Sequence, residues 1–129
     1  MLQQAYAYLL HLLSGFVLLA VFFVLYTKIT PFDEISLIRK GNMAAALSLS
    51  GAGIGFGLTL ASSILHSDTF VMFLIWAVGA MVAQAATYAL LTRIIPQMNQ
   101  GIEANNVAMG TLMGTASLLV GIINAACLS

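Results

Sequence analysis

Residues 26–31 read YTKITP, and residues 91–96 read LTRIIP. Further on, residues 38–46 (IRKGNMAAA) are answered by residues 102–110 (IEANNVAMG). Each copy of this loop has one long apolar segment before it and one after it. A unit of two spans ends on the side of the membrane where it began. The two copies, about residues 1–65 and 66–129, therefore lie parallel rather than inverted. The expectation is one integral membrane domain of two parallel two-helix repeats, related by a pseudo-twofold axis along the membrane normal.

Composition decides the solvent. Of 129 residues, 61% are hydrophobic and 6% are charged. An average soluble domain is about 25% charged, so this chain has too little charge to cover a soluble core. The eight charged residues fall in three stretches and leave uncharged runs at 1–27, 41–67, 69–92 and 104–129. Each run exceeds the roughly 20 residues that carry a helix across the hydrocarbon. Backbone groups in lipid need partners within the segment, and long unbroken apolar runs favour helices over a barrel. The fold class is all-α, a four-helix transmembrane bundle with helices at about 5–27, 42–65, 70–92 and 105–127. The lipid bilayer is the first partner. Zero net charge gives no footprint for nucleic acid.

The first apolar run lacks a basic leader and is longer than a signal core, which reads as a retained span. Cys127, the single cysteine, makes no intrachain disulfide and reads as a small packing residue. Lys28, Arg39, Lys40 and Arg93 all fall between spans one and two or three and four. By the positive-inside rule, loops 28–41 and 93–104 are cytoplasmic and both termini lie outside a plasma (inner) membrane. After Pro31, Asp33 and Glu34 open a short interfacial helix with Ile35, Leu37 and Ile38 toward lipid. Ile94, Ile95, Met98 and Ile102 take the same role in the second loop. Glu34 and Glu103 are expected to pair with Arg39, Lys40 or Arg93, surface pairs of about 0–1 kcal/mol.

Spans two and four carry the small residues. Gly51, Gly53, Gly55 and Gly57 give two overlapping G-x-x-x-G pairs, and Gly110, Gly114, Ser117, Gly121 and Ala125 follow one helical face. Small residues let backbones approach, which in lipid replaces the hydrophobic drive. Spans two and four are therefore expected in contact, at the centre or at a subunit interface. The bulkier spans one and three, with Phe16, Phe22, Phe23, Phe73 and Trp76, lie outside.

No Asp, Glu, Lys or Arg falls within a span, which argues against a proton-driven carrier. The remaining polar candidates in the spans are His11, Gln84, Thr87 and Asn124. His11 and Asn124 sit at similar depth in the outer half and are expected to tie two helices. One histidine without a second strong ligand does not make a zinc site. Asn42 and Asn106, preserved by the repeat, each open a helix. Asparagine there caps the first turn, or the two helix starts converge as a polar, anion-attracting vestibule. No nucleotide loop, zinc-protease motif or nucleophile elbow occurs, so no catalytic residue, cofactor or metal is expected.

The stretch 34–46, EISLIRKGNMAAA, together with the glycine run and the N-x-A-x-G entry to span four, resembles the bacterial YjfL-like inner-membrane proteins, a domain-of-unknown-function family. The likeness covers essentially the whole chain. It implies a small multipass bacterial plasma-membrane protein. The second copy departs from the first in having Asn105 where the first has Gly41.

Three functions compete. One is an oligomeric membrane module, a homo-oligomer or the partner subunit of another membrane protein. The second is a small channel or transporter with its path on the axis between spans two and four, lined by Asn42, Asn106, His11 and Asn124. The third, a membrane enzyme, has no nucleophile–base or metal constellation behind it.

Overall fold

The computed structural model describes residues 1–128. Four long helices, α1 (Leu2–Ile29), α3 (Met43–His66), α4 (Phe70–Ile94) and α6 (Val107–Cys127), alternate with two short ones, α2 (Glu34–Arg39) and α5 (Met98–Glu103). All four long helices are long and apolar enough to cross a membrane. The shortest, α6, has 21 residues and so rises about 30 Å, the thickness of the hydrocarbon. The protein is an all-α membrane bundle.

The prolines end the helices from outside. Thr30 and Ile95, the residues before Pro31 and Pro96, have ψ of 141° and 90°, as the proline ring requires of its neighbour. The short helices then close by one shared device. At the end of α2, Gly41 N–H bonds to Ile38 O (2.9 Å) and Asn42 N–H to Leu37 O (2.9 Å). At the end of α5, Asn105 N–H bonds to Ile102 O (3.0 Å) and Asn106 N–H to Gly101 O (2.8 Å). This is the Schellman pattern, which needs one residue with positive φ. Gly41 supplies it at +87° and Asn105 at +63°. The departure between the two loops thus keeps the backbone conformation, because asparagine tolerates this region better than most residues.

It does change the side-chain bonding. Asn42 caps α3 by accepting from Ala45 N–H (2.9 Å), and its amide donates to Ile102 O (2.9 Å) and Glu103 O (3.2 Å) at the end of α5. Asn105 answers by accepting from Ala44 N–H (3.1 Å). The start of α3 and the end of α5 therefore cap each other. Asn106 caps α6 through a single longer bond from Met109 N–H (3.4 Å). Gly41 has no side chain to offer α6 in return.

From these starts α3 and α6 run parallel with their backbones touching. A Cβ at Gly110 would overlap the Ala44 backbone, one at Gly114 the Leu47 carbonyl, one at Gly51 the Gly114 backbone, and one at Gly121 the Gly55 backbone. One at Gly55 would lie 2.6 Å from Ser117 O. Hydroxyls stitch the far half of the seam: Thr59 donates to Gly121 O (3.0 Å) and Ser62 to Ala125 O (2.7 Å). Gly53 instead admits the Phe23 ring of α1, and Gly57 faces open space. Gly57, expected among the packing glycines, is therefore not one of them. The two overlapping pairs point different ways on the helix, and only Gly51 and Gly55 meet α6.

α4 packs against both α3 and α6, while α1 rests on α3 and α4. The stripe Phe73, Ala77, Ala80, Gln84 and Tyr88 of α4 is buried, and its two alanines allow close approach. α1 buries only Phe22 and Tyr26, and Phe22 stacks on Phe56 at 4.4 Å. The two halves of the chain are thus placed differently around the central pair, and the four long helices do not follow the expected pseudo-twofold. The short helices also differ from expectation. α5 turns Met98 and Ile102 fully inward rather than to lipid, and α2 leaves only Ile35 of its three apolar residues exposed. α6 starts at Val107 rather than 105 because Asn105 and Asn106 form the turn and the cap.

The seam and the loops each give a contrasting pair of variants, read by thermal melting in mild detergent. Gly121→Leu forces two touching backbones apart and destabilises by about 3 kcal/mol or more. Gly57→Ala is neutral or stabilising by up to ~1 kcal/mol, because the space is open and alanine favours helix. Asn42→Ala removes a cap and two bonds to the end of α5, a loss of about 2–3 kcal/mol. Asn106→Ala, with one long exposed bond, loses about 1 kcal/mol or less.

Candidate functional site

The four polar residues singled out in the sequence do not share a site. Asn42 and Asn106 are helix caps at the loop end, the end that carries α2 and α5. His11, half-buried on α1, donates from Nδ1 to Ala7 O (2.8 Å), and its ring lies 5.8 Å from Phe70 and 5.7 Å from Phe73. Nδ1 thus bonds within its own helix, and no hydrogen bond joins His11 to Asn124, so the expected tie does not form. Asn124 is a half-buried residue near the end of α6.

The structure gathers a different set. Asp33 caps α2 by accepting from Ser36 N–H (3.3 Å) and stays exposed. With Asp33 outside, the next residue, Glu34, turns into the bundle, where it is 0% exposed. Its Oε1 accepts from the Thr30 hydroxyl (2.8 Å), and its Oε2 has no partner. Glu34 therefore does not make the surface ion pair expected of it. Lys28, Arg39, Lys40 and Arg93 are all exposed. Burial pushes the Glu34 carboxyl from 4.5 up to about 7; the Thr30 bond opposes this rise and the Asp33 charge adds to it.

Two tyrosines face Glu34. Tyr26 of α1 and Tyr88 of α4 are buried, with ring centroids 5.9 Å apart, and both feel the Glu34 charge. The Tyr88 hydroxyl donates to Asn99 Oδ1 (2.6 Å) of α5. The Tyr26 hydroxyl lies near Ser48 of α3 and Ser117 of α6 but completes no hydrogen bond. Deeper still, Gln84 of α4 donates from Nε2 to Ser117 O (3.0 Å). Its own Oε1 and the Ser117 Oγ are buried without partners. α1, α2, α4 and α6 thus place a row of buried oxygens running inward from the loop end. Buried polar atoms are usually hydrogen-bonded, and ordered water commonly fills such gaps.

Sequence reasoning reached Gln84 and Ser117 but assigned them other roles, and it placed Glu34 on the surface. The signal present is the spacing of four through Phe22, Tyr26, Thr30 and Glu34, which continues past the proline break. Among the described residues, no group of three or more His, Cys, Asp or Glu is placed to hold a metal ion.

The resemblance to other proteins runs along the whole chain. A family model described as Domain of Unknown Function (DUF350) matches residues 1–128. The chain is 33% identical over 128 residues to the UPF0719 inner membrane protein YjfL of Escherichia coli (strain K12), across 99% of this chain and 97% of that one. It is 24% identical over 110 residues to the UPF0719 transmembrane protein YshE of Bacillus subtilis (strain 168), across 84% and 82% of the two chains. No solved structure matches. With the family model spanning all but the final residue, the chain belongs to the DUF350 family.

Proposed function

We propose that the protein is a non-enzymatic, homo-oligomeric module of a bacterial inner membrane, with the loop end cytoplasmic and both termini outside. The orientation rests on Lys28, Arg39, Lys40 and Arg93, which all lie at the loop end, and on the positive-inside rule. The inner-membrane assignment rests on the relative from Escherichia coli.

One observation supports assembly above the others. α4 covers one side of the α3–α6 pair, while the other side carries Ser50, Ile54, Thr111 and Thr115, all exposed. They surround a shallow groove of about 200 Å³ whose floor includes Gly51 and Gly114. Thr27, Thr87 and Thr92, on the other spans, each donate to the carbonyl four residues back. The Ser50, Thr111 and Thr115 hydroxyls make no hydrogen bond to any described residue. Small residues and hydroxyls on a helix face are the usual material of contacts between membrane helices. A second copy laid on this face would bury the groove and give the hydroxyls partners.

Transport along the seam of a single subunit has no such support. The α3 and α6 backbones touch at Gly51, Gly110, Gly114 and Gly121, which leaves no column of space between them. Asn42, Asn106, His11 and Asn124 are also spread over separate places.

The test uses single cysteines in a Cys127→Ser background, oxidised in native membranes. Ser50→Cys and Thr115→Cys should give covalent dimers. Leu13→Cys, on the exposed face of α1, should not. A single-copy mass in nanodiscs, together with no cross-link at either seam position, would sink the proposal. Co-purification of a different membrane protein would then favour a partner subunit.

A further inference from the structure

Among the described residues, Glu34 is the one acidic side chain with no exposed surface; Asp33, Asp68 and Glu103 are exposed. The groups that face it are Thr30 from the turn after α1, Asp33 beside it, Tyr26 from α1 and Tyr88 from α4. None is cationic. A buried carboxylate without a positive partner is strongly disfavoured, and such a group takes up a proton instead.

The buried oxygens near Glu34 also make more bonds when it is neutral. Four buried oxygens lack partners: Glu34 Oε2, Tyr26 OH, Ser117 Oγ and Gln84 Oε1. If Glu34 is neutral, three O–H donors (Glu34, Tyr26 and Ser117) match three acceptors (Tyr26, Ser117 and Gln84) in order from the loop end inward. If Glu34 is ionised, two O–H donors remain and make two bonds, Tyr26 to Glu34 Oε2 and Ser117 to Gln84 Oε1, one fewer than in the neutral form. Bridging water does not change this balance, because each molecule brings as many donors as acceptors. One N–H of the Gln84 amide is taken by the Ser117 carbonyl.

We propose that Glu34 is a proton-binding site, its carboxyl donating inward to a water-linked row of Tyr26, Ser117 and Gln84 and exchanging its proton with the aqueous phase at the loop end. Release breaks the Oε2–H bond: the proton leaves on water, and the electron pair stays on the carboxylate. The loop-end core then gains one negative charge near Tyr26 and Tyr88. The environment holds the carboxyl at about 7, so both forms are populated near neutrality. The site lies within one subunit and does not depend on the oligomer.

The sign for stability follows. The folded carboxyl binds its proton more tightly than the ordinary group at 4.5. The stability it contributes is complete below that ordinary value and is lost as pH rises through about 7.

The test is an infrared pH titration of the full chain in lipid nanodiscs. The carbonyl band of a protonated carboxyl should disappear with a midpoint of about 7. It should be absent in Glu34→Gln, keep its midpoint in Glu103→Gln, and move to lower pH in Asp33→Asn, which removes the charge that adds to the rise. The thermal midpoint of the wild type should fall through the same range, and Glu34→Gln should remove that fall. His11 and His66 do not contribute to this band. A midpoint in the ordinary carboxyl range, or a band that persists in Glu34→Gln, overturns the assignment. A midpoint that moves with sodium or potassium concentration also overturns it, by giving the site to a cation. If Glu34→Gln does not fold, the wild-type midpoint alone decides.

Discussion

The α3–α6 seam is the constraint on which the remaining structure depends. Lipid gives apolar side chains no reason to leave it, so helices in a bilayer associate through close packing and polar bonds. Here the packing is backbone on backbone at Gly51, Gly110, Gly114 and Gly121. The two helices are also parallel, so their dipoles lie side by side rather than cancelling. The hydroxyls of Thr59 and Ser62, which donate across to α6 carbonyls, add a directional attraction to contacts that would otherwise be dispersion alone. Once the pair is joined, α4 has one groove to enter. Its Ala77 and Ala80 let it in, and Gln84 bonds to the Ser117 carbonyl at its floor.

The loops make that seam possible. Two parallel helices need their starts held at one depth, and the reciprocal capping of Asn42 and Asn105 does so. The tie is one-sided because one loop carries Gly41 and the other Asn105 at the same backbone position. A single residue difference between two similar loops thus separates a turn that only turns from a turn that also grips its neighbour. The same loop places Glu34. Asp33 takes the cap of α2, and the residue after it has the bundle interior as its surroundings.

Much of this was legible in the sequence. Uncharged runs gave the four spans, the prolines gave their ends, and the glycines on α6 gave the seam. What was hidden depends on rotation. Gly51 and Gly57 look equivalent in a glycine-rich helix, yet one meets α6 and the other faces open space. Glu34 next to Asp33 looks like a solvated acidic pair, and a six-residue helix offers too short a pattern to fix which acid faces inward. Met98 and Ile102 raised the same problem in α5. The placement of α1 was hidden for another reason. Its apolar residues suit lipid and protein equally, and only Phe22, Phe23 and Tyr26 find shaped partners.

The seam also sets an order of events during synthesis. The residues that touch across it, such as Gly51 and Gly114, are more than sixty positions apart. At 5–20 residues per second, α3 is made roughly 3–13 s before the matching part of α6 exists. Through that interval the glycine and hydroxyl face of α3 has no permanent neighbour. α4, which follows directly and packs on α3, is the available temporary shield. It must then leave room at the groove when α6 enters the membrane. The centre is therefore completed only when α6 arrives, and a ribosome that stops before α6 leaves a protein with spans but without an interior.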